Sequence, residues 1–315
     1  MEIWYNSRMD LAALIRQISR DEELPCRCQT WPADTVDAIW RYGGMVGSVV
    51  ARHERLARGM DLSRNLIRQT EERGASFKSG TVILAGELTG GKGRFQRVWH
   101  APPGGLWLTL IMVNTLLPQS SRLYPLAAGI ACCEAVRHYG LPAHLKWVND
   151  LQVGGRKIAG ILCETMVGPC YGEEYILLGL GINVNNEVFP AEIASASAAL
   201  KTLLGTAVDL KLFAARLLVK LAWNIGLLHY EEQQRLLTAG GGFAEDRPVA
   251  DSLVLSRFRQ LCDSIGRRVL FGYDVQKQPQ YEAQTLGIDE AGALILQLPD
   301  GLILAEQGGE IVYLD

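Results

Sequence analysis

At 315 residues the chain exceeds one average domain of about 100–200 residues, and its 48% hydrophobic content can fill a sizeable core. The 31 basic and 34 acidic residues nearly cancel, which excludes a global electrostatic pull towards nucleic acid or an anionic membrane. Seven cysteines (Cys26, Cys28, Cys132, Cys133, Cys163, Cys170 and Cys262) form no CxxC pair, so neither a metal site nor a disulfide framework is legible.

The opening MEIWYNSRMD lacks the basic-then-apolar layout of a signal peptide. Apolar runs such as Leu106–Val113 fall short of the roughly 20 residues of a membrane helix. The expectation is a soluble, cytoplasmic protein. Residues 1–45 read as an N-terminal extension of unclear role. Within it, MDLAALIRQI has helical spacing, ELPCRCQTWP interrupts it, and DTVDAIWRYGG predicts a short helix with an Asp cap and a Gly-Gly stop.

A main domain follows over 46–245. Strands are predicted at 47–51, 81–88, 106–113, 144–147, 158–164 and 175–184, with a glycine turn at 154–155. Helices are predicted from Asp61 to Arg73, over 123–139, and over 210–231 with Asp209 as its cap. The stretch AGGGFAEDRP (239–248) separates this domain from a region of different character at 262–315. There, RRVLFGY, YEAQTLGI, ALILQL, LILAEQ and EIVYL alternate with turn signals, which predicts five short strands and a small β-barrel of SH3-like size. The predicted class is α+β: a mixed β-sheet with helices packed on one face, followed by that barrel.

Four segments carry candidate chemistry. Gly90-Gly91-Lys92-Gly93-Arg94-Phe95-Gln96-Arg97 follows a strand, and its glycines and cations suit a phosphate or carboxylate. It is neither a P-loop nor a GxGxxG loop, and a basic surface loop fits the same pattern. Trp99-His100-Ala101-Pro102-Pro103-Gly104-Gly105-Leu106-Trp107 reads as a rigid turn into a buried strand. Lys146-Trp147-Val148-Asn149-Asp150 precedes Lys157-Ile158-Ala159-Gly160-Ile161-Leu162-Cys163-Glu164. An Asn-Asp pair can bind Mg²⁺ or orient a nucleophile, although a hairpin with solvated Lys and Asp has the same spacing. Gly179-Leu180-Gly181-Ile182-Asn183-Val184-Asn185 places glycines inside an apolar strand, which marks a bulge or a ligand lying on the sheet.

In this order the motifs resemble the biotin–protein ligase family, within the biotin/lipoate ligase fold. KWVNDLQVGGRKIAGILCE and GLGINVN are close to the family pattern, and the C-terminal strands are similar to the small barrel of these ligases. The resemblance covers roughly residues 47–315 and implies ATP, Mg²⁺ and biotin as ligands. Biotin would be activated as biotinyl-5'-adenylate and passed to a lysine of an acceptor protein with a biotinyl-type domain. The extension is short for the winged helix-turn-helix that some bacterial members carry, so no DNA binding is predicted; a homodimer is compatible.

Carried over by position, the resemblance implies that Gly91, Lys92, Gly93 and Arg94 hold the adenylate and that Lys157 contacts the reacting oxygens. Asn149 and Asn183 would line the nucleotide and metal region, with Asn183 as a metal ligand. Asp150 would orient or deprotonate the incoming lysine. Gly160, Ile161 and Leu162 would support the acyl chain, Gly181 would lie beside them, and Trp99 would pack on the adenine side. Lys157, Asp150 and Arg94 are the implied catalytic set.

The chain also departs from the family. Leu88, followed by Thr89, replaces the Gln that contacts the biotin ring system, Lys92 replaces the first Arg of the loop, and Gln96 its last Gly. Ser63-Arg64-Asn65 is the nearest counterpart of the family's Ser-Thr-Asn at the ring end. These changes cluster where the ring would bind, and they raise a second expectation of a lipoate- or octanoate-like acid or a binding paralogue with impaired turnover.

Overall fold

The computed structural model describes residues 10–238 and 252–314. It opens on α1 (Leu11–Ile18), a π-helical turn at Ser19–Glu23, α2 (Leu24–Cys28) and α3 (Ala33–Gly43). Helical backbone therefore runs through the segment where the sequence predicts a break. Pro25 sits in the first turn of α2, where a missing N–H removes no hydrogen bond. Pro32, not Asp34, stands at the cap of α3, and the Gly43–Gly44 stop is as predicted.

The main domain comprises β1 (Val49–Leu56), α4 (Gly59–Glu72), β2 (Thr81–Leu88), β3 (Leu106–Val113), α5 (Pro118–Ser121), α6 (Tyr124–Arg137), β4 (His144–Lys146), β5 (Asp150–Val153), β6 (Arg156–Val167), β7 (Glu174–Ile182), α7 (Ala191–Ala194), α8 (Leu200–Leu204), α9 (Leu210–Thr238) and α10 (Leu253–Leu261). Beyond the sequence reading, β1 runs on to Leu56, and the helices α5, α7, α8 and α10 are additional. Helix α4 starts at Gly59 after Arg58, so Asp61 lies inside its first turn, where a carboxylate still favours the helix dipole. Strand β5 is additional: Asn149 and Asp150 lead into it, and it pairs antiparallel with β6 as the hairpin alternative for this segment has it.

Seven strands pair in the order β1-β2-β3-β7-β6-β5-β4, and only β1 and β2 run parallel. The alternation along β3 sorts its two faces. Leu106, Leu108, Leu110 and Met112 join the main core with α3, α6 and α9. Trp107, Thr109 and Ile111 face the other side, where α4 alone covers part of the sheet beside β2, β3 and β7. The uncovered remainder of that face is where a ligand can lie.

Helix α9 is the spine of the helical layer, and α1, α3 and α6 pack on it. Asp209 caps it as predicted, its Oδ1 accepting from the N–H groups of Lys211 and Leu212 at 2.9 Å each. Leu210–Leu237 is long and apolar enough to cross a membrane, but 78% of that window is buried in this fold, as befits a core helix. The predicted glycine-rich linker at 239–248 lies outside the described residues.

The C-terminal unit contains β8 (Arg268–Gly272), β9 (Tyr281–Ile288), β10 (Leu294–Gln297), β11 (Ile303–Glu306) and β12 (Glu310–Tyr313). They form an antiparallel five-stranded sheet in the order β11-β10-β9-β8-β12. Asp289 and Asp300 make the predicted turns, each accepting backbone N–H bonds from two residues onward. Trp147 ties this unit to the main sheet: its Nε1 donates to the Gly292 carbonyl at 3.1 Å, and its N–H to Ser264 Oγ at 3.0 Å.

His229 on α9 stacks on Tyr42, and its Nε2 lies 3.0 Å from the Tyr124 hydroxyl. Burial pushes its pKa down from 6.5 to about 4. The folded state thus holds the neutral ring, and the unfolded chain binds more protons between those values. The resulting stability is complete above about pH 6.5 and is lost as pH falls towards 4, at about 1.4 kcal/mol per unit. Urea unfolding between pH 7 and 5 should show this slope, and His229→Gln should flatten it.

Candidate functional site

A cavity of about 500 Å³ opens on the uncovered sheet face. The β6–β7 register places Gly160 directly opposite Gly181. With no Cβ on either, the sheet face is hollow there, and the Trp99 indole lies in the hollow. A Cβ on Gly181 would come within 2.5 Å of Trp99 Nε1, and one on Gly160 within 3.1 Å of its ring. Trp107 meets Trp99 edge to face, and the Lys157 ammonium stands 5.3 Å from the Trp99 ring centroid. Trp99 Nε1 is buried without a partner among the described residues.

Cations ring the mouth. Lys157 Nζ lies 2.6 Å from Asp150 Oδ1, within reach of the cavity that both residues line. Lys146, across from Asp150 in the β4–β5 pair, also lines it, and burial holds its ammonium below the ordinary lysine range. Arg94 Nη1 donates to the Gly309 carbonyl at 2.8 Å, with Asn149 Oδ1 at 3.4 Å. Burial lowers the pKa of Arg94 as well, though a guanidinium remains charged. Asn149 is held by its own amide, Nδ2 donating to Ile161 O at 2.9 Å. Such preorganised donors suit developing negative charge in a partly desolvated site.

The glycine loop is a narrow hairpin. Gly93 N–H donates to Arg97 O at 2.8 Å, and Trp99 N–H to Gly91 O at 2.9 Å. At its tip Phe95 and Gln96 take φ of 53° and 61°. Gln96 therefore adopts a left-handed conformation where the resembled loop has glycine, which costs about 1 kcal/mol. The small barrel holds the loop from outside: Arg97 bonds Glu310 through both terminal nitrogens and Asp274 Oδ1 at 2.8 Å.

Most sequence-predicted residues meet here. Leu88, Lys92, Gly93, Arg94, Trp99, Asn149, Asp150, Lys157, Gly160, Ile161, Leu162, Gly181 and Asn183 line the one cavity. Gly91 and Thr89 do not; Gly91 supports Trp99 from behind. Ser63, Arg64 and Asn65 are corrected outright. They lie beyond the first turn of α4: Ser63 Oγ donates to the Gly59 carbonyl at 2.9 Å, Arg64 pairs with Glu164, and Asn65 faces solvent. Arg58, Gly59 and Met60 line that end instead, because α4 begins at Gly59 and its start, not its second turn, faces the sheet. The β-to-helix switch after Leu56 was the signal for this placement. Thr109, Lys146 and the barrel contacts were not singled out; the odd-numbered face of β3 would have pointed to Thr109.

Asn183 fits poorly as a metal ligand. It is 4% exposed, and its Oδ1 already accepts from Asn186 Nδ2 at 3.0 Å. No trio of His, Cys, Asp or Glu suited to a metal ion occurs among the described residues. A nucleotide-bound Mg²⁺ is usually held by phosphates and waters with few protein oxygens.

If the barrel latches the loop, replacing both Glu310→Gln and Asp274→Asn should loosen it by about 1 kcal/mol. Trypsin should then cut at Lys92, Arg94 or Arg97 about five-fold faster under native conditions, as read by mass spectrometry.

Residues 63–183 match the model of the biotin/lipoate A/B protein ligase family. The bifunctional ligase/repressor BirA of Bacillus subtilis is 28% identical over 227 residues, 71% of this chain and 63% of that protein. This chain thus spans less than two thirds of that relative. The biotin–[acetyl-CoA-carboxylase] ligase of Mycobacterium tuberculosis is 33% identical over 152 residues, 46% of this chain and 54% of that one. The fold matches the structure of the biotin protein ligase from Aquifex aeolicus in complex with biotin and ATP, with a TM-score of 0.61 at 21% identity, covering 84% of this chain and 98% of that one. Within the domain that carries this cavity, residues 63–183 are thus similar to the biotin/lipoate A/B protein ligase family.

Proposed function

We propose that this protein is a biotin–protein ligase that forms biotinyl-5'-adenylate from ATP and passes the biotinyl group to a lysine of a carrier protein. The observation that carries the reading is the shared cavity, apolar along the sheet and cationic at its mouth, where Arg94, Lys146, Lys157 and Asn149 converge. Relatives named for biotin ligation support the choice of acid.

In this reading the acyl chain lies beside the Trp99 indole and Leu162 towards Ile83 and Ala85. Its carboxylate reaches the mouth, where the oxygen attacks the α-phosphorus of ATP and pyrophosphate departs. Lys157 and Arg94 stabilise the charge on the phosphate and carboxylate oxygens. Asp150, 2.6 Å from Lys157, is placed to accept a proton from the acceptor amine as it attacks the mixed anhydride and releases AMP. Mg²⁺ would accompany the nucleotide phosphates, and no step here is assigned to it. Leu88 in the cavity wall favours one competing reading, a lipoate- or octanoate-like acid.

The test mixes protein, Mg²⁺, ATP and biotin with an isolated biotinyl-type acceptor domain and follows lysine labelling by mass spectrometry. Labelling is expected, with Lys157→Ala reducing the rate about 10²–10³-fold. No labelling, together with labelling by lipoate or octanoate, would overturn the biotin assignment.

A further inference from the structure

Lys146 is held at the cavity mouth by an aromatic ring rather than by a carboxylate. It ends β4, lines the cavity and faces Asp150 across the β4–β5 pair. Asp150 gives its short contact to Lys157 instead, at 2.6 Å. Among the described residues, the Lys146 ammonium makes no hydrogen bond or ion pair. Its Nζ lies 4.9 Å from the centroid of the Tyr313 ring. Burial and the like charge of Lys157 favour the neutral amine, while Asp150, Asp263 and Glu310 favour the ammonium.

Tyr313 ends β12 and is anchored at its hydroxyl. The O–H donates to Asp263 Oδ1 at 2.6 Å and lies 2.9 Å from Ser264 Oγ. Ser264 also accepts from the N–H of Trp147, the neighbour of Lys146. Arg267 packs on the same ring, its guanidinium carbon 4.4 Å from the centroid. The ring therefore cannot swing away from Lys146 without breaking its hydroxyl bonds. The other end of β12 carries Glu310, which holds Arg97 of the glycine loop. One strand of the barrel thus touches the cationic mouth twice.

We infer that Tyr313 is a positioning residue for the nucleotide: its ring keeps the Lys146 ammonium charged and turned towards the bound phosphates. This rests on the ligase reading for the presence of ATP. An aromatic face attracts an ammonium and not a neutral amine, so the ring favours the protonated form. It also restrains a flexible four-carbon stem. Lys157 has Asp150 for that purpose. Tyr313 itself lies outside the cavity lining and acts through Lys146.

The experiment is calorimetric binding of a non-hydrolysable ATP analogue with Mg²⁺ to the full chain, between pH 7 and 10. The variants are Tyr313→Leu, Tyr313→Phe, Lys146→Met and the double variant Lys146→Met/Tyr313→Leu. Tyr313→Leu should weaken the analogue about three- to ten-fold at pH 7. Its affinity should also fall away at a lower pH than in wild type, because without the ring the ammonium gives up its proton earlier. Tyr313→Phe keeps the ring and should follow the wild-type pH profile. Lys146→Met should weaken the analogue about ten-fold or more. Adding Tyr313→Leu to it should cost nothing further, which a merely structural tyrosine would not show. Lys146→Met leaves the hydroxyl bonds of Tyr313 in place, so it keeps the test open if Tyr313→Leu does not fold. Wild-type affinity in Lys146→Met, additive losses in the double variant, an unchanged pH profile in Tyr313→Leu, or no analogue binding by wild type would each overturn the proposal. The ligase reading fails separately, if the analogue binds in this manner yet ATP and biotin give no adenylate.

Discussion

The site depends on the pairing of Gly160 with Gly181 across β6 and β7. Apart from Gly179, which Met60 covers, the neighbouring positions on this face carry side chains that stand above the strands. At this pair the backbone is bare, so an indole can lie flat against it, and Trp99 does. Trp99 in turn fixes the end of the glycine loop, through its N–H bond to Gly91 and its contact with Trp107. The loop carries Arg94 to the mouth, opposite Lys157 and Asn149. One cross-strand register therefore sets both the apolar floor and the position of the cationic rim.

The small barrel completes this arrangement. A three-glycine loop with two left-handed non-glycine residues at its tip is a strained and weakly determined element. Here Arg94 reaches the Gly309 carbonyl, and Arg97 is shared by Glu310 and Asp274. These contacts offset the strain and link the loop to a unit that is distant in sequence. The barrel is itself positioned by Trp147 and Ser264, so the Lys146–Asp150 segment sits between the barrel and the sheet. The cations at the mouth are partly desolvated as a result, which strengthens their action on any anion bound there.

The sequence carried much of this. Strand alternation and glycine stops located the main elements, and the ordered motifs named the residues that line the cavity. The mouth was legible because its residues are local: KWVND, GRKIAG and GINVN each keep their chemistry within a few positions. The ring end was not, because it is assembled from the start of α4 and the centre of β3, some fifty residues apart. A three-residue likeness drew Ser63-Arg64-Asn65 to that end, while the helix start at Gly59 turns those residues away. Thr109 lay hidden inside LWLTLIMV, which reads as an unbroken buried strand until its two faces are separated. Arg97 gave no hint of its carboxylate partners, since Asp274 and Glu310 lie in another folding unit.

The central claim is that this one cavity activates an acid with ATP. Biotin-dependent exchange of labelled pyrophosphate into ATP, measured without any acceptor protein, tests it most directly. The account predicts exchange that requires biotin and is lost in Arg94→Ala. Absence of exchange with biotin, by folded protein that binds both biotin and ATP, would contradict it.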